Sequence, residues 1–456
     1  ARLPIVTERD PAVPVAIDVG RSDGADALGI NAEGLKYGGY RIASGSGWLV
    51  LLGADYDYQP PDPSALKRSQ MDEALAEWDK RTATATEHNW GFPFGSTFKH
   101  YWRPRPNDAE LMTERYGEEN TALWPGGDFS TGFWLQDEGG SLNAVHAFLE
   151  SLGARWYMAG DIGEVLPQTG TILVSQVDKT VMPDYQMRAW TWYNYSGFPF
   201  EHVLWARRLG LNSAYETLGD LGYAHGHVHV FKRDSMKEGH PEYYAMFKGE
   251  RDLDYNGHGR VCYASDGLFE ETINYTRFLF DEYASPHVSI WPGDGYRSCQ
   301  CEICETKPPS EEVWQFVDRV GRELYKTHPD RLVSCGAYTS YKDPPESVDK
   351  FSPNVAVFIS NAARPTFLDP ERWQEYRELF TSWEKRVAPG RVLRVENNRY
   401  SLWGGVGRDP FPVPQARAMA MDLQAHKGTV IGEHSEQNQS QTQLVNQGVN
   451  HLPLYV

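Results

Sequence analysis

The sequence predicts a mixed α/β protein: a (β/α)8 barrel over residues 183–456, preceded by a small α/β accessory domain over residues 1–182. Three observations lead there. From Pro183 onward, apolar runs rich in branched residues alternate with helical segments, and there are eight such runs. No Gly-rich phosphate fingerprint follows the first run, which removes the doubly wound dinucleotide fold. A 456-residue chain is also too long for one small core, so a barrel with an accessory domain fits its length.

The accessory region starts with strand-like runs, PVAIDVG and WLVLLGA, on either side of the alternating GLKYGGYRIAS. Residues 56–130 change character, with Pro60-Pro61, a helical piece and then WGFPFGSTFKHYWRPRP. This reads as a long insertion, and residues 90–106, which mix rings with Lys99, Arg103 and Arg105, are expected either to reach over the barrel mouth or to pack on their own domain. Ser141–Leu152 is an amphipathic helix with Ser141 as N-cap and Gly153 beyond its end. The expected barrel strands are Gln186–Trp192, His225–Phe231, Arg260–Tyr263, His287–Trp291, Leu332–Tyr338, Val355–Ile359, Val392–Glu396 and Thr429–Gly432.

Composition excludes several classes. Lys+Arg 44 against Asp+Glu 62 gives a net charge of −18, which speaks against a nucleic-acid partner. No run of 18 apolar residues occurs, so no membrane-spanning helix is expected. The chain starts at Ala1 with neither Met nor an apolar leader, as a removed secretory signal or a trimmed chain would leave it; the expectation is a secreted or periplasmic protein. Trp 15, Tyr 25 and Phe 19 supply rings for a core and for gripping the flat face of a sugar. Oligomerisation is left open.

The chemistry concentrates in HVSIWPGDGYRSCQCEIC, residues 287–304. A buried strand breaks at Pro292-Gly293 and is followed by Asp294 and by Cys299, Cys301 and Cys304. The Cys-x-Cys-x-x-Cys spacing suits a tetrahedral soft metal, zinc first, in a structural role, with Cys262, Cys335 or a histidine of HGHVH as fourth ligand. A local disulfide or three inert thiols would give the same spacing. In a barrel the active site lies at the carboxyl ends of the strands. Those ends hold Asp294, Tyr338, Tyr341, Glu396, Asn398, Arg399, Glu433 and Glu436. On a strand, His225, His227 and His229 would share one face.

Taken as a whole, HGHVHVF, GHPEYYAMFKGER, RVCYASDG, WPGDGYRSCQCEICE and the segments to NVAVFIS resemble the large bacterial family catalogued as domain of unknown function 4838. LNAVHAFLESLGARWYMAGDIGEVLPQ resembles the end of the accessory domain of family 67 α-glucuronidases and family 20 hexosaminidases. The resemblance implies a barrel enzyme acting on carbohydrate, exported by polysaccharide-degrading bacteria. Family 20 enzymes carry an Asp-Glu pair after strand four; here Gly295 follows Asp294, so the layout is nearer family 67.

The expected function is therefore a glycoside hydrolase on a bacterial, plant or algal glycan, uronate-containing ones included, needing no organic cofactor. Asp294 is the candidate acid and Glu396 or Glu433 the candidate base, in the wider, inverting arrangement. His227, Trp291, Tyr338, Asn398, Arg399 and Glu436 are the candidate substrate contacts. Alternatives are a polysaccharide lyase that uses Tyr338, Tyr341 or His227 as base, and a glycan-binding protein without catalysis.

Overall fold

The computed structural model describes residues 12–56, 76–82, 90, 138–157, 160–168, 170–192, 199–212, 225–253, 260–361, 370–397, 421 and 423–437. In chain order the strands are β1 (Ala16–Val19), β2 (Tyr40–Gly45), β3 (Trp48–Gly53), β4 (Asp55–Tyr56), β5 (Glu138–Gly139), β6 (Arg155–Trp156), β7 (Glu164–Val165) and β8 (Asp178–Val181). They continue with β9 (Met187–Trp192), β10 (Met246–Phe247), β11 (Glu250–Arg251), β12 (His287–Ser289), β13 (Leu332–Ala337), β14 (Val355–Asn361), β15 (Val392–Asn397) and β16 (Gly432–Gln437).

The first sheet has the order β1-β3-β2-β8, with β1 parallel to β3 and the other two pairings antiparallel. Ser46 and Gly47 alone join β2 to β3, and Gly47 takes the left-handed φ of 78° that so short a hairpin requires. Helix Gly140–Ser151 lies on this sheet. Ser141 is not its N-cap. It sits in the first turn, where its N–H and hydroxyl both donate to the Asp55 carboxylate, at 2.8 and 2.6 Å, and its oxygen accepts from the Gly53 N–H. Asp55, from β4, thus does the capping that the sequence pattern assigns to Ser141. The helix is packed from two sides: Phe148 and Val145 meet Ile42, Leu49 and Leu51, while Leu149 meets the Trp156–Trp205 cluster.

The second sheet is wholly parallel, in the order β12-β13-β14-β15-β16-β9. The last strand, β16, therefore lies beside the first, β9. Helices Asp266–Glu282, Pro309–Tyr325 and Pro370–Glu384 come between its strands. Val333, Val355, Val357, Ile359, Val392 and Leu393 are buried, as expected of strands covered on both faces.

Six of the eight expected strands are present, and two are not. His225–Phe231 is a turn leading into a one-turn helix, Val228–Phe231, not a strand. Val228, His229, Val230 and Phe231 are all buried, so the run lacks the alternate exposure of a half-buried strand; a short apolar run fits either state. The chain meets β12 end-on: His227 N–H donates to the Trp291 carbonyl, and a Cβ on Gly226 would stand 2.3 Å from the Ser289 carbonyl oxygen. Arg260–Tyr263 contributes a single antiparallel bridge, Val261 to Tyr244, and no sheet strand. The eighth strand runs over Gly432–Gln437 and not Thr429–Gly432, a shift that matters for the site.

Where the insertion is described, it packs. Trp78 and Trp90 are buried against helix Asp266–Glu282, with ring centroids 5.3 to 5.6 Å from Tyr275, Phe278 and Tyr283. The Trp90 indole N–H donates to Glu271, and Arg233 pairs with Asp79 at 2.6 Å. Trp90 thus packs on a helix of the 183–456 region, which is neither of the two expected placements; residues 91–106 lie outside the described residues. Trp78→Ala removes a fully buried indole and should cost about 3–5 kcal/mol. It should lower the melting temperature clearly, and an unchanged melting curve would mean that the insertion is not seated on this helix.

Candidate functional site

Four thiols converge under the loop that follows β12. Cys262, Cys299, Cys301 and Cys304 place their sulfurs within 4.8 Å of one another. Cys262 Sγ stands 3.7 Å from Cys301 Sγ and 3.9 Å from Cys304 Sγ. A zinc ion with four thiolates at about 2.3 Å would separate them by about 3.8 Å. A disulfide would require about 2.05 Å, and all five cysteines are free. The fourth ligand left open by the spacing is therefore Cys262. Cys335 sits on β13 with its thiol on the Gly336 carbonyl, apart from the group.

Local structure explains the convergence. Cys262 follows the Val261–Tyr244 bridge, just ahead of Ser265, which caps helix Asp266–Glu282. The hairpin β10–β11 lies over the other three: the Met246 N–H donates to Cys299 Sγ at 3.2 Å, and Gln300 N–H donates to the Met246 carbonyl. Hydrogen bonds from Cys262 and Cys304 hold the Cys299 thiol far below its ordinary value. The same sharing pushes Cys262 up to about 11, chiefly through Cys299, and Cys304 up through Cys262 and Cys299. Of these thiols Cys299 is the one pushed toward the thiolate, the form a soft metal binds.

Sequence reading missed the carboxylate behind this cluster. Glu312, in the first turn of helix Pro309–Tyr325, is buried; it accepts from the Tyr296 hydroxyl at 2.5 Å and from the Cys299 N–H at 3.4 Å. Burial pushes its carboxyl up, against the pull of those donors. An acidic residue at a helix start looks like ordinary helix-end chemistry, so no signal in the chain marks it.

From the cluster a row of rings leads to the end of the sheet. Tyr296 meets Tyr341 edge-on at 4.9 Å, and the Trp291 indole donates to the Tyr341 hydroxyl at 2.9 Å. Trp291 in turn lies 5.8 Å from Tyr338 and 5.1 Å from His225. Trp291 is only 2% exposed, so it offers almost no surface to a ligand, against its expected role as a substrate contact. Gly336 makes room for it, since a Cβ there would stand 2.0 Å from the indole. Asp294 lies in the exposed loop just beyond, its carboxylate accepting from the Gly295 N–H.

Register locates the other carboxylates. Glu433 pairs with Arg394 and, on its other side, with Arg188. Glu396 is two positions higher, paired with Asn361 and Ser435. Asn397, Glu436 and Thr191 form the next position up. Because β16 starts at Gly432, Glu433 is near the amino end of its strand and Glu436 near the carboxyl end; the expectation had Glu433 at the carboxyl end. Arg394 is buried with its guanidinium 6.0 Å from the Tyr376 ring of helix Pro370–Glu384, so this level lies within the packed body. Asn398 and Arg399 lie outside the described residues.

The three histidines do not share a face. His227 is 0% exposed; its Nε2 faces Thr272 Oγ1 at 2.9 Å, and its ring packs among Phe231, Tyr263 and Phe316. It has no surface for a ligand from solvent, which corrects its expected substrate role. His229 is buried with Nδ1 on Lys232. His225 stays half-buried beside Trp291 and Pro292, past the carboxyl end of β12.

No curated protein matches the chain. Residues 158–393, a little over half of it, match the family described as Domain of unknown function (DUF4838). Among solved structures, the β-N-acetylhexosaminidase of Bacteroides fragilis is 12% identical over 92% of this chain and 77% of its own, with a TM-score of 0.34. A GH36 α-galactosidase of Geobacillus stearothermophilus, in complex with raffinose, is 10% identical over 48% of this chain, with a TM-score of 0.27; the match spans only 29% of that enzyme. A GH18 chitinase of Pseudoalteromonas aurantia is 13% identical over 42% of this chain and 70% of its own, with a TM-score of 0.24.

Burial alone holds His227 and His287 down at about 3, and burial with the nearby Arg208 charge holds His146 down at about 4. Their ordinary value is 6.5. Between these limits the unfolded chain binds protons that the folded chain refuses. The stability they allow is full above pH 6.5 and is lost as pH falls toward 3, by at most about 1.4 kcal/mol per pH unit for each ring. The urea midpoint should drop from pH 7.5 to pH 5, and less steeply in His227→Gln. A midpoint independent of pH would mean that these rings are protonated in the folded chain.

Proposed function

The chain belongs to the DUF4838 family, and we propose that it is a carbohydrate-active enzyme, a glycoside hydrolase working at the carboxyl end of the parallel sheet. The observation that carries this reading is the run of β12 through β16 to β9, with the last strand beside the first, and Asp294 and Glu436 standing past or near the carboxyl ends of their strands. That order supports reading residues 183–456 as a domain wound like a (β/α)8 barrel, with six of the eight expected strands formed, after an accessory domain, residues 1–182. Carboxylates at that end are what glycosidic cleavage requires: one acid to protonate the leaving oxygen, one base or nucleophile for the anomeric carbon. Asp294 is exposed, so a substrate can reach it. Register favours Glu436 over Glu433 as its partner, and keeps Glu396 as the neighbouring candidate. Tyr338, with His225 beside it, gives a sugar a ring to rest on. Export by the producing cell remains part of this reading.

The cysteine centre would hold zinc in a structural role. Cys262, Cys299, Cys301 and Cys304 would supply four thiolates and close the coordination, which leaves no position for substrate. The metal would fix the loop of Asp294, and no reaction step passes through it.

Two tests follow. Elemental analysis of purified protein should find about one equivalent of zinc, and Cys262→Ser should lose it together with thermal stability. Metal-free protein of full stability would return the centre to four inert thiols. For catalysis, the wild type should release saturated reducing ends from a glycan, and Asp294→Asn and Glu436→Gln should each cut turnover by about a hundredfold or more while the melting curve stays put. Glu433→Gln should instead act mainly on stability. Near-normal rates in both of the first two variants would rule out this carboxylate pair, and an unsaturated product absorbing in the ultraviolet would mean a lyase.

A further inference from the structure

We propose that His225 is a substrate-contacting residue, whose Nε2 accepts a hydrogen bond from a neutral sugar hydroxyl at the mouth of the parallel sheet. The inference rests on the glycan reading above and deepens it. His225 Nδ1 lies 2.6 Å from the Pro292 carbonyl oxygen. A carbonyl can only accept, so Nδ1 carries the proton, and in the neutral ring Nε2 is left as an acceptor. Among the described residues, nothing bonds to Nε2.

The ring is held where a ligand would meet it. His225 has φ 52°, in the left-handed region that a residue with a Cβ rarely enters, and such conformations concentrate at working sites. The cause is next to it: Gly226 runs so close to the Ser289 carbonyl that no side chain fits, and the His227 N–H is tied to the Trp291 carbonyl. Those two contacts force the chain to turn at His225 and send the next histidine inward. The imidazole then rests against Trp291 at 5.1 Å and Tyr338 at 6.3 Å. It hydrogen-bonds to Pro292, two residues before Asp294. An acceptor nitrogen close to a carboxylate-bearing loop suits a donor group, and disfavours an anionic substituent at the same position. The partner is therefore a hydroxyl-bearing, uncharged part of the sugar.

Asparagine separates the two ring nitrogens. Its amide N–H can replace Nδ1 toward Pro292, it tolerates left-handed φ, and it has nothing in place of Nε2. Wild type and His225→Asn should be titrated by calorimetry with neutral xylo-, cello- and chito-oligosaccharides and with uronate oligosaccharides from pectin and alginate. The variant should keep its melting temperature and bind every glycan that the wild type binds about three- to tenfold more weakly. Should the variant fail to fold, wild-type protein treated with diethyl pyrocarbonate and mapped by mass spectrometry gives the second readout. His225 should be modified at Nε2 and protected by bound glycan, while His227 and His287 stay unmodified. Equal affinity in the folded variant, or modification of His225 that glycan does not slow, overturns the proposal for His225 alone. If the wild type binds none of these glycans, the glycan reading fails first and this inference falls with it.

Discussion

The loop from Pro292 to Pro308 has almost no apolar core of its own, and its three thiols converge with Cys262 on one point. Between Asp294 and Lys307 the buried side chains are Cys299 and Cys304. Ordering a segment of that length costs conformational entropy of about 1–2 kcal/mol per residue. Little apolar area is available to offset that. A metal bound by the four thiolates, as proposed above, would solve this, because its strength comes from a few bonds and not from buried area. The cluster also reaches beyond the loop, since Cys262 ties in the segment before helix Asp266–Glu282 and Met246 ties in the β10–β11 hairpin.

What the centre fixes is passed on by contacts between rings. Tyr296 is fastened to Glu312 by its hydroxyl and lies edge-on to Tyr341; Tyr341 receives the Trp291 indole, and Trp291 lies over Gly336. Each of these side chains is buried or half-buried, and each polar atom named has a partner. A buried network of this kind holds one geometry well and tolerates little change, because breaking one bond strands its partner. His225 and Tyr338 lie at its outer end, against Trp291.

Much of the scaffold was legible in the chain because periodicity and length act together. Val355–Ile359 is an unbroken apolar run and Val392–Glu396 is one broken by Arg394 and ended by Glu396; both lie between helical segments, and they became β14 and β15 within two residues of the expected ends. The cysteine spacing was legible too, down to Cys262 as one of three named choices for the fourth ligand. The failures have a common physical cause. HGHVHVF alternates like a strand, yet what fixes its fold is the contact of Gly226 with Ser289, sixty-three positions away in sequence. Ser141 has the side chain of an N-cap, but Asp55 reaches the helix start from another strand. Glu312 looks like any acid at a helix start. In each case a long-range contact overrides a correct local preference.

The strand β16 shows how a small boundary error turns into a chemical one. Moving the strand from Thr429–Gly432 to Gly432–Gln437 changes no fold class, since a parallel strand still lies between β15 and β9. It does move Glu433 from the end of the strand to its base, beside Arg394, and lifts Glu436 level with Asn397. A strand rises about 3.3 Å per residue, so three residues of register carry a carboxylate about 10 Å along the sheet. That distance is larger than the separation of about 5–9.5 Å at which two carboxyl groups can share one glycosidic bond. On the proposed reading, which acid could work with Asp294 is therefore a question of register before it is one of acidity, and register is the property that a single sequence specifies least sharply.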